Sequence, residues 1–74
     1  MAYKVSVIIE KDEYGYYAYC PEFEGCQTQG ETFEDVMKNI KEAIELYVET
    51  LSEEEARESL SKEILTTTLE VYVA

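Results

Sequence analysis

Tyr14-Gly15-Tyr16-Tyr17-Ala18-Tyr19-Cys20-Pro21-Glu22-Phe23-Glu24-Gly25-Cys26-Gln27-Thr28-Gln29-Gly30-Glu31-Thr32-Phe33-Glu34-Asp35 is the stretch that decides the fold. It holds a turn, a strand, a second turn, a second strand and a helix start, with no slack between them. Gly15 supplies the positive φ that closes a tight turn. Residues 16–20 alternate, with Tyr16, Ala18 and Cys20 on one face and Tyr17 and Tyr19 on the other. Pro21 lacks a ladder N–H and ends that strand. Gly25 turns the chain again, Cys26 to Gln29 reads as a short strand, and Gly30 closes it.

Working outward, residues 3–11 alternate as well. Tyr3, Val5, Val7 and Ile9 point one way, and Lys4, Ser6, Ile8 and Glu10 the other. Three strands joined by short turns make an antiparallel meander. Downstream, Thr32 is a good N-cap with Asp35 three residues on, close to a capping box. Glu31, Glu34 and Asp35 place negative charge where the helix dipole favours it. Phe33, Val36, Met37, Ile40, Ala43, Ile44, Tyr47, Val48 and Leu51 follow the i, i+3, i+4, i+7 pattern and predict one apolar stripe. Ser52 and Glu55 start a second, short and highly charged helix over residues 53–61. Residues 64–73 predict a last strand, with Leu65, Thr67, Leu69, Val71 and Val73 on one face.

The element order β-β-β-α-(α)-β sets an α+β fold. After three antiparallel strands and a helical crossover, a fourth strand parallel to the first can pair beside it. The right-handed crossover rule then gives the order 3-2-1-4, with the helix packed on one face. That order is a partial ribonuclease-H-like sheet. Its second face is left uncovered and is expected to carry Ile8, Tyr17, Tyr19 and Tyr72, a candidate contact surface.

The 74 residues are expected to form one domain, residues 1–74. A chain this short buries only about 60% of its unfolded surface, so association with a second chain would help it. Seventeen acidic residues stand against six basic ones, for a net charge of −11. Such a surface repels phosphate backbones and is steered toward a basic partner, so no direct nucleic-acid contact is expected. No basic-then-apolar leader opens the chain and no apolar run reaches membrane length, which sets the expectation of a cytoplasmic, membrane-free protein. The unpaired edges of an open sheet point to a homo-oligomer, a dimer or tetramer.

The residues offer little chemistry. With no His there is no Ser-His or Cys-His pair, and two Cys alone cannot fill a zinc site. No P-loop or dinucleotide motif is present, so no catalytic residue, cofactor or metal is expected. Cys20 and Cys26 read as reduced thiols. Phe23, flanked by Glu22 and Glu24, has two readings: an apolar anchor ringed by acids for a basic target, or a side chain folded back on the sheet. A metal-dependent nuclease is the alternative that a ribonuclease-H-like sheet raises, with Glu10, Asp12, Glu13, Glu22 and Glu24 as candidates and Glu70 near Glu10. The absence of any Lys or Arg cluster for a phosphate backbone argues against it. An orphan interaction domain with an unrelated partner is a third reading.

The order Tyr16, Ala18, Pro21, Glu22, Gly25, Cys26, Thr28, Gly30, Thr32 resembles the N-terminal domain of the HicB family of antitoxins. The resemblance covers residues 3–51. It implies a partial ribonuclease-H-like fold in which Gly15, Pro21, Gly25, Gly30 and Thr32 serve the framework. It also implies a partner, a small basic HicA-like toxin that cleaves messenger RNA and is blocked by occlusion of its active surface. Tyr17, Tyr19, Glu22, Phe23 and Glu24 are the expected contact residues. Many family members add a C-terminal ribbon-helix-helix or helix-turn-helix domain. No such DNA-binding segment is expected in these 74 residues, and operator binding is not carried over.

Overall fold

A computed structural model describes residues 3–74; Met1 and Ala2, where the leader reading begins, lie outside the described residues. The end of the alternating N-terminal run forms β1 (Ile8–Asp12), which pairs antiparallel with β2 (Gly15–Tyr19). Ile8 stands opposite Tyr19 and Asp12 opposite Gly15. β2 pairs antiparallel with β3 (Gln27–Gly30), giving a three-stranded sheet in the order β1-β2-β3. The meander is therefore present as its turns demand.

The connection between β2 and β3 is two β-turns in succession. Phe23 N–H donates to Cys20 C=O at 3.1 Å, and Cys26 N–H donates to Phe23 C=O at 3.1 Å. Pro21 sits second in the first turn, where its fixed φ fits. Gly25 sits third in the second turn with φ +81°, the position that a type II turn reserves for a residue of positive φ. Cys20 N–H then donates to Cys26 C=O at 3.0 Å and closes the loop at its neck.

α1 (Phe33–Glu49) starts at Thr32, whose Oγ1 accepts from Asp35 N–H at 3.0 Å. Its apolar stripe lies on β2 and β3, and Asn39 Nδ2 donates to Gln29 C=O at 2.9 Å, tying the helix to the outer strand. Two clusters form the core. Ala18, Val36 and Ile40 are buried together with Val7, Ile9, Tyr16, Ala43 and Ile44 around them. Cys20, Phe23 and Cys26 form the second, backed by Val5, Tyr47, Val48, Leu51 and Leu60. α2 (Glu53–Ser59) carries a complete capping box: Glu55 N–H donates to Ser52 Oγ and Ser52 N–H to Glu55 Oε1. Hydrogen bonds to the carboxylate from the Ser52 backbone N–H and then the Ser52 side chain hold the Glu55 carboxyl below its ordinary pKa. Ala56 and Leu60 anchor this otherwise charged helix.

The sequence differs from the structure at both ends of the sheet. The first strand, expected over 3–11, is laddered only from Ile8, because β2 ends at Tyr19 and Pro21 turns the chain away. Val5 and Val7 nevertheless reach the core, and Ser6 N–H donates to Glu22 Oε2 at 2.9 Å, so the alternation of the strand continues. The fourth strand does not form. Among the described residues, 62–74 join no strand ladder, and Leu65, Leu69, Val71, Tyr72 and Val73 are exposed. The order 3-2-1-4 is thus reduced to its first three members. A radius of gyration of 14.5 Å, against about 11 Å for a compact chain of this length, reflects that projecting segment.

Gly15, Gly30 and Val36 stack so closely that backbone meets backbone. A Cβ on Gly30 would lie 2.7 Å from Val36 N, and one on Gly15 2.9 Å from Gly30 O. Since Val36 N–H is held by Thr32 C=O at 3.0 Å, the helix start cannot yield locally. Gly30→Ala is expected to lower unfolding free energy by about 1–3 kcal/mol, as overpacking does. Urea denaturation of the two proteins checks it; equal midpoints would show that the helix start gives way freely.

Candidate protein-docking face

With α1 on one side of the sheet, the opposite side carries the even residues of β1 and the odd residues of β2. Tyr17 and Tyr19 stand there, half-buried, with ring centroids 5.8 Å apart. Tyr17 Oη donates to Gln27 Oε1 at 2.7 Å across the strand pair. Beside them, at the β2–β3 connection, lies a shallow depression of about 200 Å³, bordered by Tyr17, Tyr19, Pro21, Glu24 and Gln27. Glu10 and Glu24 are exposed around this surface. The face therefore joins aromatic area to carboxylates, which suits a partner with apolar and cationic groups.

The contact residues expected from sequence are divided by the structure. Tyr17, Tyr19 and Glu24 are accessible. Phe23 is 1% exposed and Glu22 7% exposed, so of the two readings of Phe23 the inward one holds. Its position follows from the paired turns, which aim residue 23 back beneath the loop. There its ring stacks on Tyr47 with centroids 4.9 Å apart and an interplanar angle of 25°. Glu22 braces the same loop: one carboxylate oxygen accepts from Ser6 N–H, and the other accepts from Cys20 Sγ at 3.6 Å. Sequence reasoning missed this clamp because Ser6 and Glu22 are sixteen residues apart and no spacing rule links them.

Cys20 and Cys26 are free, buried thiols. Burial pushes Cys20 up from 9.0 to about 11, against backbone hydrogen bonds that lower it, and the Glu22 charge adds to the rise. Burial also raises Cys26. Both are poor nucleophiles near neutrality, since the thiolate is the reactive form. The carboxylates proposed for metal chemistry do not converge. Glu70 sits on the projecting segment, taking a hydrogen bond from Tyr72 Oη at 2.8 Å rather than approaching Glu10. Among the described residues, no three His, Cys, Asp or Glu side chains gather as metal ligands. Nor is any helix among them long and apolar enough to cross a membrane.

Two outcomes follow from the packed loop. Phe23→Ala removes a fully buried ring and is expected to cost about 3–5 kcal/mol of stability, measured by denaturant unfolding; a cost near zero would mean that Phe23 is not the loop's support. Because Cys20 is raised in the folded state, the stability it contributes is complete below pH 9 and is lost as pH rises through about 11. Cys20→Ala should therefore flatten the alkaline fall in unfolding free energy across that window, and parallel curves for the two proteins would contradict it.

Residues 3–71 match the family model described as HicB-like antitoxin of bacterial toxin–antitoxin systems. A UPF0150 protein of Synechocystis is 52% identical over 50 residues, covering 66% of this chain and 63% of that relative. A UPF0150 protein of Helicobacter pylori is 49% identical over 51 residues, covering 69% of this chain and 71% of its own length. One from Archaeoglobus fulgidus is 40% identical over 63 residues, covering 84% and 91% respectively. No solved structure matches the chain. The chain belongs to the HicB-like antitoxin family.

Proposed function

From that membership we propose that the chain neutralises a small basic toxin of the HicA type by covering its RNA-cleaving surface. The observation that carries the reading is the uncovered sheet face, where Tyr17 and Tyr19 lie side by side among exposed carboxylates on a chain of net charge −11. Tyrosines give large contact area at low conformational cost and keep a polar tip for hydrogen bonding. The surrounding acids steer a basic partner and set the salt dependence of encounter. A toxin that must hold phosphates presents the cations that this face attracts, so the antitoxin competes with RNA for them. Occlusion asks for no nucleophile, no general base and no metal.

Within this reading the five expected contact residues have two roles. Tyr17, Tyr19 and Glu24 touch the toxin, whereas Glu22 and Phe23 hold the loop that presents Glu24. Action takes place in the cytoplasm, where messenger RNA is cleaved.

The test is binding to a basic chain encoded beside this one, with its RNA cleavage assayed in parallel. Tyr17→Ala combined with Tyr19→Ala and Glu24→Lys should weaken binding by about 30-fold or more, the loss expected of hot-spot residues, and restore cleavage. Affinity of the unaltered chain should fall as salt is raised. Unchanged affinity in the triple variant, with its circular dichroism intact, would remove this face from the interface.

A further inference from the structure

One side of the helix stripe is unfilled. Between α1 and the extended run 3–9 lies an open groove of about 980 Å³, walled by Val5, Val7, Met37, Ile40, Ile44 and Val48. Met37 is 40% exposed although it belongs to the apolar stripe. The edge beside the groove is unpaired as well among the described residues. Ser6 N–H turns inward to Glu22. Asp12 and Gly15 flank a two-residue turn and form a hydrogen-bonded pair, so Glu10 and Ile8, two and four residues back, also turn their N–H and C=O groups to β2. Backbone alternation then turns the N–H and C=O groups of Val5, Val7 and Ile9 to the free edge. The site lacks one strand with an apolar face.

The chain carries such a strand and does not use it on itself. Residues 64–73 alternate, and Leu65, Leu69, Val71 and Val73 are 75–91% exposed. Leu65 to Val73 spans about 26 Å when extended, and the free edge from Tyr3 to Lys11 has the same reach. Of Ile64 to Ala74 only Glu70 is charged, in a chain with 17 acids, so the segment brings little repulsion to a second copy. The charges along the groove's wall balance, Lys38 and Lys41 against Glu45 and Glu49, so they add no net repulsion. Between Ser61 and Ile64 there is no Gly, Pro, Asn or Asp to reverse the chain, and the segment that follows is exposed and forms no part of its own groove's wall.

We propose that residues 64–73 of one copy fill the groove of a second copy and pair with its free edge, reciprocally, giving a strand-exchanged dimer. A reciprocal exchange between identical chains closes both grooves at once and leaves no apolar segment exposed. It supplies in trans the fourth strand that the single chain lacks, and it does not depend on the identity of any toxin.

The experiment pairs sedimentation equilibrium with amide hydrogen exchange on the full chain, alone and as the Leu65→Asp/Leu69→Asp/Val71→Asp variant. Those three side chains are exposed in the isolated chain, so the variant retains its fold. The expected result is a dimer with protected amides over 65–73 and at Val5, Val7 and Ile9. The variant should sediment as a monomer, lose that protection and keep its helical circular dichroism. A monomeric parent with a protected segment means that the strand folds back on its own chain, and overturns the proposal. A monomeric parent without protection, a dimer with an unprotected segment, or a variant that remains dimeric overturns it equally.

Discussion

The structure depends on one packing event: the ring of Phe23 driven beneath its own loop onto Tyr47. Pro21 and Gly25 set two consecutive turns, and the turns aim residue 23 inward. Cys20 and Cys26 then close over the ring from the two strand ends, and Val5, Leu51 and Leu60 reach it from the first strand and the helical end. Every element except the C-terminal segment contributes to or borders that cluster. In a chain with so few fully buried side chains, an aromatic ring at the point where strands and helix meet replaces what a larger core would distribute. The Glu22 carboxylate belongs to the same device. Its two oxygens accept from Ser6 N–H and the Cys20 thiol, so a buried acid is satisfied without a cation.

The second constraint is the mismatch between the width of the helix stripe and the width of the sheet. A three-stranded sheet covers Val36 and Ile40 and leaves Met37 and part of Ile44 and Val48 at an open wall. The helix is patterned for four strands. The edge groups of residues 5–9 face the same opening, so the unmet apolar and hydrogen-bonding needs coincide. That coincidence separates this groove from an ordinary solvated flank. The sheet's other side shows no comparable deficit, since Tyr17 donates to Gln27 and the Tyr17 and Tyr19 rings lie against each other at a tilt.

Much of the fold was legible in the residues themselves. Turn chemistry at Gly15, Pro21 and Gly25 fixed the meander, and capping at Thr32 and Ser52 placed both helix starts, because these effects act over two to four residues. Period-two alternation correctly separated Tyr16, Ala18 and Cys20 from Tyr17 and Tyr19. It could not say whether 64–73 has a neighbour, because a strand's existence depends on an edge supplied from elsewhere. The open tyrosine face was legible for the same reason as the core: alternation assigns both sides of a sheet at once. Phe23 was not decided by local pattern. Turn residues mark where the chain bends, but the direction in which two successive turns aim the residue between them is a three-dimensional property, and the ring it meets, Tyr47, lies twenty-four residues away. The Ser6–Glu22 bond was invisible to spacing arguments for an analogous reason.

The two surfaces are linked by the geometry of a strand. If Leu65, Leu69, Val71 and Val73 face the helix of a second copy, alternation turns Thr66, Thr68, Glu70 and Tyr72 to the opposite side. That is the side of Ile8, Tyr17 and Tyr19. An exchanged strand would therefore finish the core and widen the tyrosine face with one more aromatic ring and one more carboxylate, both from the other chain. Dimer and docking face would not compete for area, since the first uses the groove and free edge and the second the sheet's outer side. Two such faces per dimer would raise the effective concentration of antitoxin surface around any toxin already held. A small acidic chain with a minimal core would thus gain stability from a second copy and present a larger surface to its partner.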